Sequence, residues 1–342
     1  MNAFDPNAAA SSGSGIFGLP GTESPFSAAE AALVIMPVPF AATVSYGGGA
    51  ERGPGAVLAA SHQVDLYDLQ FGRVYERGIH LLQPEAAIEA AHARARAICL
   101  ELADGADDPI RRGVVDEAGA FVNERVHAVV AGLLDRGVIP AVLGGDHSVP
   151  FGAIAAVAER YPGLGILHID AHADLRVAYE GYRWSHASIM DNVLREAPGV
   201  ARIVQVGIRD FCEQELMAIQ DSGGRVVTHF DHEWRRRLFD GETFAALCAD
   251  AIEALPSRVH VSFDIDGLGP ALCPSTGTPV PSGLAFAEMS LLLESLVRSG
   301  RSIVGFDLVE VAPGADEWDA NVGARVLYKL CGAALRSARR DG

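Results

Sequence analysis

The segment Leu164-Gly-Ile-Leu-His-Ile-Asp-Ala-His-Ala-Asp174 joins two patterns. Its first half is a short apolar run that predicts a buried strand. Its second half alternates Asp170, His172 and Asp174 with small residues. An extended backbone sends alternate side chains to the same side. The three polar groups therefore leave the strand end as one cluster. Hard oxygens and an imidazole nitrogen suit a divalent cation, whose charge offsets buried negative charge. His168 shares the parity of Asp170 but precedes the strand end, which predicts a side chain packed within the sheet layers and away from the cluster.

The same pattern of apolar strand followed by polar turn recurs on both sides of this segment. Val138–Leu143 runs into Gly144-Gly-Asp-His-Ser148, and Ile203–Val206 into Gly207-Ile-Arg-Asp210. Val259–Phe263 runs into Asp264-Ile-Asp266, and Ile303–Phe306 into Asp307-Leu-Val-Glu310. Upstream, Ala32–Met36 reads as a first strand, and Pro54 opens a short helix after the glycine-rich loop 45–55, whose glycines allow a close backbone approach. Helical spacing of Val115, Ala118, Val122, Val126, Val129 and Leu133 predicts a helix that Gly137 stops. Further helices are expected over 149–159 (with Ser148 as a cap), near 187–195 and from Cys212, while His229 and His232 are read as opening a helix near Trp234. Strands alternating with amphipathic helices imply an α/β protein whose parallel sheet is covered on both faces, with ligands bound beyond the carboxyl ends of its strands. One domain over residues 29–342 is expected. It follows an extension over 1–28, rich in Ala, Ser, Gly and Pro, whose ordering is expected to depend on a neighbouring subunit.

Composition narrows the function. With 49% hydrophobic and 21% charged residues, the 342-residue chain is ordinary for a folded protein. A net charge of -17 argues against a nucleic-acid partner, which needs a basic face. No apolar run approaches the roughly 18 to 20 residues of a membrane span, and no signal peptide is visible. The five cysteines (Cys99, Cys212, Cys248, Cys273 and Cys331) are scattered and odd in number, which points to free thiols in a cytoplasmic setting.

Six potential ligands, His147, Asp170, His172, Asp174, Asp264 and Asp266, follow three separate strands. One ion rarely needs four carboxylates, whereas two ions can share bridging ones. A binuclear site is the economical account. The mixed donor set fits Mn²⁺ best, with Ni²⁺, Co²⁺ or Fe²⁺ also compatible.

Gly144-Gly-Asp-His-Ser148, Asp170-Ala-His-Ala-Asp174 and Ser262-Phe-Asp-Ile-Asp266, with Gly277-Thr-Pro279 and Glu310-Val-Ala-Pro313, resemble the signature motifs of the ureohydrolases, the arginase and agmatinase family. The resemblance runs from about residue 30 to 335. It implies a three-layer α/β/α fold around an eight-stranded parallel sheet, and a homotrimer or homohexamer. It implies one ion on His147, Asp170, Asp174 and Asp264, and another on Asp170, His172, Asp264 and Asp266. Asp170 and Asp264 would bridge them. A hydroxide between the ions would attack the central carbon of a guanidinium group, giving urea and an amine. Asp174 would also accept a hydrogen bond from that nucleophile, His186 would carry a proton to the leaving amine, and Glu310 would pair with the guanidinium.

Three departures bear on substrate. Gly269 stands where many members of the family carry an aspartate. His186 lies in Ser-His-Ala, in place of the Ser-His-Gly common in agmatinases. Arg176 replaces a small polar residue and would disfavour a cationic substrate tail unless it is paired, for instance by Glu180. With the long extension, these features resemble the agmatinase-like branch that includes hydrolases of guanidine and other small guanidino compounds. A formimidoylglutamate-type hydrolase is the alternative, since Arg176 would suit a carboxylate tail; arginine itself fits less well. A non-catalytic partner subunit predicts missing ligands, and all six are present. Arg209 and Asp210 are expected either at the site mouth or in an internal salt bridge.

Overall fold

The computed structural model describes residues 4–10, 13–103 and 108–338. Its strands are β1 (Leu33–Val38), β2 (Ile79–Leu81), β3 (Ile139–Gly144), β4 (Leu164–Ile169), β5 (Val200–Ile208), β6 (Val226–Phe230), β7 (Arg258–Asp264) and β8 (Ser302–Val309). They form one parallel eight-stranded sheet in the order β2-β1-β3-β8-β7-β4-β5-β6. The helices are α1 (Gly53–Ser61), α2 (Ala86–Leu102), α3 (Pro109–Asp135), α4 (Phe151–Arg160), α5 (Ile189–Glu196), α6 (Glu213–Asp221), α7 (Asp231–Phe239), α8 (Phe244–Glu253), α9 (Phe286–Arg298) and α10 (Trp318–Ser337).

Both faces of the sheet are buried, and the alternation along each strand shows it. In β4, Leu167 and Ile169 join a core built with α1, α8, α9 and α10. Leu164 and Ile166 join a second core with α2, α3, α4 and α5. A strand buried on both sides has no polar face, which is why the sequence reads as continuous apolar runs. The α/β/α layering matches the expected class.

Two strands escaped the pattern. β2 has three residues, and β6 lies at the sheet edge, where all but its first residue are only partly buried. His229 therefore sits in β6 and not in a helix; its ring packs on Trp234 at 5.6 Å between centroids, and α7 starts at Asp231. Ser148 does not cap α4 either, since its hydroxyl donates to Asp146 Oδ1 at 2.5 Å.

The N-terminal extension also differs from expectation. Residues 1–3 and 11–12 of it lie outside the described residues. Ile16, Phe17, Leu19 and Phe26 are buried in the core of this same chain. Phe17 meets the Tyr328 ring of α10 edge-on at 4.8 Å, and its N–H donates to Ser61 Oγ of α1 at 2.9 Å. Aperiodic apolar residues give no helix or strand signal, yet each fills a gap between packed elements, so these contacts need no neighbouring subunit. Among the described residues, no helix is long and apolar enough to cross a membrane. All five cysteines are free thiols.

Truncating a buried aromatic costs roughly 3 kcal/mol or more. Phe17→Ala should lower the urea-unfolding free energy by about 3 kcal/mol, and an unchanged midpoint would remove this segment from the core.

Candidate metal centre

The four central strands, β3-β8-β7-β4, end side by side. Beyond their carboxyl ends stand His147 (after β3), Glu310 (after β8), Asp264 and Asp266 (β7), and Asp170, His172 and Asp174 (β4). All are buried except His172, which is partly buried. Two glycines permit this convergence. A Cβ on Gly145 would lie 2.0 Å from Phe40 O, and the Gly145 backbone donates to Val38 O and accepts from Glu310 N, pinning three strand ends together. Gly207 has φ +97, and its Cβ would lie 2.9 Å from Asp170 O. Asp174 and Glu310 are themselves left-handed, at φ 54 and φ 61. That conformation costs a non-glycine residue on the order of 1–3 kcal/mol and concentrates at functional sites.

The donors form two groups that share Asp170. His147 Nδ1 lies 2.9 Å from Asp170 Oδ2, 3.1 Å from Asp174 Oδ2 and 3.3 Å from Asp264 Oδ2. His172 Nδ1 lies 3.1 Å from Asp266 Oδ2 and 3.5 Å from Asp170 Oδ1. His147 Nδ1 is buried among three carboxylates, yet no aligned hydrogen bond reaches it. A buried nitrogen ringed by carboxylate oxygens and without an aligned partner is an arrangement a cation satisfies. The donor set thus fits divalent ions on chemistry and on this orphaned atom.

His168 is not set apart from this cluster as the sequence predicts. It lies on β4 and is buried, but its Nε2 donates to Asp170 Oδ2 at 2.8 Å. The Gln205 amide donates to His168 Nδ1 at 3.0 Å and to Ala173 O, while Thr228 Oγ1 donates to Gln205 Oε1 at 2.7 Å. Both ring nitrogens are thereby used, so His168 orients the shared carboxylate and Asp264 remains the better donor beside His147. On the other side, His147 Nε2 bonds Ser262 Oγ at 3.0 Å, and Ser262 donates to Asp307 Oδ1 at 2.9 Å. Asp307 Oδ2 takes a further bond from His260 Nε2 at 2.7 Å. Such partners fix the tautomer and raise ligand basicity. Sequence reasoning left out Gln205, Thr228, His260 and Asp307 as site partners, because each lies inside a strand where only the sheet register brings it near a ligand.

The cavity over the cluster has a volume of about 160 Å³. His186 and Glu310 line it with His147, His172, Asp174 and Asp264, as do Arg176, Tyr179, Asp210, Glu215 and Thr278. Glu310 Oε1 accepts the His147 N–H at 3.0 Å. Burial, and then the neighbouring Asp146, push its carboxyl well above the ordinary range. Burial, with the charges of His172 and His147, holds His186 down at about 4, and its Nδ1 lies 3.4 Å from Thr43 Oγ1. Arg176 pairs with buried Glu215 at 3.6 Å, in place of the expected Glu180, and its guanidinium stacks 4.7 Å from the Tyr179 ring centroid. Glu180 is exposed on a left-handed turn, whereas Glu215 sits in the first turn of α6, where the Leu175 and Cys212 N–H groups also bond it. Gly269 pairs its N–H with Leu284 O at 3.0 Å, which holds that loop without an aspartate.

Three comparisons bear on this arrangement. A model of the arginase family, described as "Arginase family", matches residues 31–332. An N(1)-aminopropylagmatine ureohydrolase of Thermus thermophilus is 32% identical over 89% of this chain and 90% of its own. An agmatinase of Bacillus anthracis is 30% identical over 85% and 87%. Among solved structures, an agmatine ureohydrolase of Thermoplasma volcanium superposes with a TM-score of 0.69 at 24% identity, covering 90% of this chain and 91% of that one. At that identity the superposition speaks for the fold.

Protons on the imidazoles can do part of the neutralising. Burial alone would lower both imidazoles, but the carboxylates push His172 up to about 12 and His147 well above its ordinary range. Because the folded values lie above the unfolded one of 6.5, this stabilisation is fully present below that pH and is lost as pH rises through the folded values. A cation that takes Nδ1 displaces the proton. Titrating Mn²⁺ into chelated protein in buffers of different ionisation enthalpy should therefore show proton release near neutral pH and an affinity that rises with pH. A proton-neutral, pH-independent titration would mean that the imidazoles do not hold the ions.

Proposed function

Since this chain belongs to the arginase family, we propose that it is a binuclear-metal amidinohydrolase that releases urea from a small guanidino compound such as agmatine, guanidine or a guanidino acid. Hydrolysis of C–N bonds in linear amidines is the family's chemistry. The observation that carries the reading is the pair of donor groups sharing Asp170, set in one cavity with Glu310 and His186. His147, Asp170, Asp174 and Asp264 would hold one ion, and Asp170, His172, Asp264 and Asp266 the other, with Mn²⁺ favoured and Ni²⁺ compatible by the donor chemistry. When bound, such ions lower the pKa of water and so make hydroxide available near neutral pH.

The remaining work falls to the chain. Glu310 accepts the substrate guanidinium, whose charge offsets the burial and the Asp146 charge that push this carboxyl up. Asp174, besides its ligand role, accepts a hydrogen bond from the nucleophile. His186, neutral at physiological pH, can take up a proton and deliver it to the leaving amine. Arg176, braced by Glu215 and Tyr179, orients the distal part of the substrate. A homotrimer or homohexamer is proposed as the assembly. The relatives named for agmatine and aminopropylagmatine support a guanidino substrate. A formimidoylglutamate-type activity keeps one observation in its favour: the terminal nitrogens of Arg176 form no hydrogen bond among the described residues and would suit a carboxylate.

Urea release with Mn²⁺ or Ni²⁺ across guanidine, agmatine, guanidinobutyrate, guanidinopropionate and arginine tests the reading. Formamide release from formimidoylglutamate, with no urea from that panel, would replace it. His172→Ala should remove one ion and nearly all turnover, and full activity with two ions bound would refute the site. Glu310→Gln should cut kcat/KM roughly ten- to hundredfold, the value of a charge-assisted hydrogen bond. Arg176→Ala should raise KM with kcat largely kept, and a matching loss in both would place Arg176 elsewhere in the mechanism.

A further inference from the structure

We infer that Arg209 is a positioning residue for the His172–Asp266 half of the metal centre, acting through main-chain carbonyls. The side chain forms neither the expected salt bridge nor part of the cavity lining. Its Nη2 donates to Asp266 O at 2.7 Å, Leu268 O at 3.2 Å and Val280 O at 3.0 Å. Nη1 donates to Gly207 O at 3.0 Å, and Nε to Val280 O at 3.3 Å and Pro281 O at 3.1 Å. The segments held are the Asp266 turn and the loop after Thr278, whose hydroxyl lies 3.4 Å from Asp266 Oδ2.

The backbone of Arg209 reaches the other ligand. Its N–H donates to Ala171 O at 2.8 Å and that of Asp210 to the same oxygen at 3.0 Å, so Arg209 also anchors the residue before His172. Asp266 Oδ1 in turn accepts the Ala171 N–H at 3.0 Å. A planar guanidinium presents five donors in a fixed fork, which is what carbonyls from three directions require. Gly283, at φ +93, completes the cradle: a Cβ there would lie 2.8 Å from Arg209 Nη2. The His147 half takes its orientation from other groups, Ser262 and Asp307 on one side and His168 and Gln205 on the other. Loss of the fork therefore acts on one half of the centre.

The inference rests on the two-ion reading, and metal stoichiometry separates the two. Full-length wild type, Arg209→Met and Arg209→Lys are stripped with chelator and titrated calorimetrically with Mn²⁺, with circular dichroism to show folding. Wild type should take up two equivalents. Both variants should keep one equivalent within about threefold of wild-type affinity and bind the second at least tenfold more weakly, with lysine recovering only part of the loss. A wild type that binds fewer than two equivalents defeats the two-ion reading and this inference with it. Two wild-type equivalents with both sites unaffected, or equally weakened, in the variants overturn the positioning role alone. If Arg209→Met does not fold, Arg209→Lys decides by the same criterion. Failure of both to fold also overturns the inference, because Arg209 would then support the whole chain.

Discussion

Four carboxylates gathered in one buried space cannot all stay ionised without counter-charge. Placing charge in a low-dielectric interior is costly unless it is paired, and the structure addresses that cost in two ways. The carboxylates push His172 up to about 12 and His147 well above the ordinary imidazole range against burial, His168 and His147 hold Asp170 well below its ordinary range against the opposing effect of burial, and burial together with the Asp170 charge lifts Asp174 to about 6. With cations bound as proposed, the same nitrogens would serve as ligands. Strained backbone at Asp174 and Glu310, close-packed glycines and the strand-borne hydrogen-bond chains all serve to hold this unfavourable grouping together.

The cavity wall follows the same electrostatic logic at lower intensity. Arg176 is neither free nor fully neutralised: Glu215 lies at the edge of ion-pair distance and the Tyr179 ring covers the guanidinium. The two contacts together restrain where this guanidinium can point. Glu310 lines the cavity and lies near Asp146, and burial together with that second carboxyl pushes it well above its ordinary range.

The sequence made much of this legible because strand ends and ligands coincide. Asp170, His172, Asp174, Asp264 and Asp266 announce themselves by alternation after apolar runs, and the fold class follows from the same runs. What stayed hidden has a common cause. His168, Gln205, His260 and Asp307 gain meaning only from the register between paired strands, β4 with β5 and β7 with β8, which neither strand's sequence states by itself. The Arg209 residue type suggests a place at the site mouth or in a salt bridge, whereas its side-chain partners are main-chain carbonyls, which no residue name reveals. The buried extension around Phe17 lacked periodicity, so composition alone made it look unanchored. Gly269 marks a departure from the family pattern, and its backbone N–H is paired with Leu284 O.

The position of β8 has a consequence for how the chain reaches its native state. β8 lies between β3 and β7, both of which precede it by many residues and pair with it on either side. Until β8 inserts, the sheet is two separate halves, each with an open central edge, and β3 and β7 have no reason to bring His147 near Asp264. Long-range parallel pairing of this kind is slow and leaves edges able to pair wrongly. Under the proposed two-ion reading, ion capture would have to follow β8 insertion, because a chain still lacking its last strand would not bring His147 and Asp264 together.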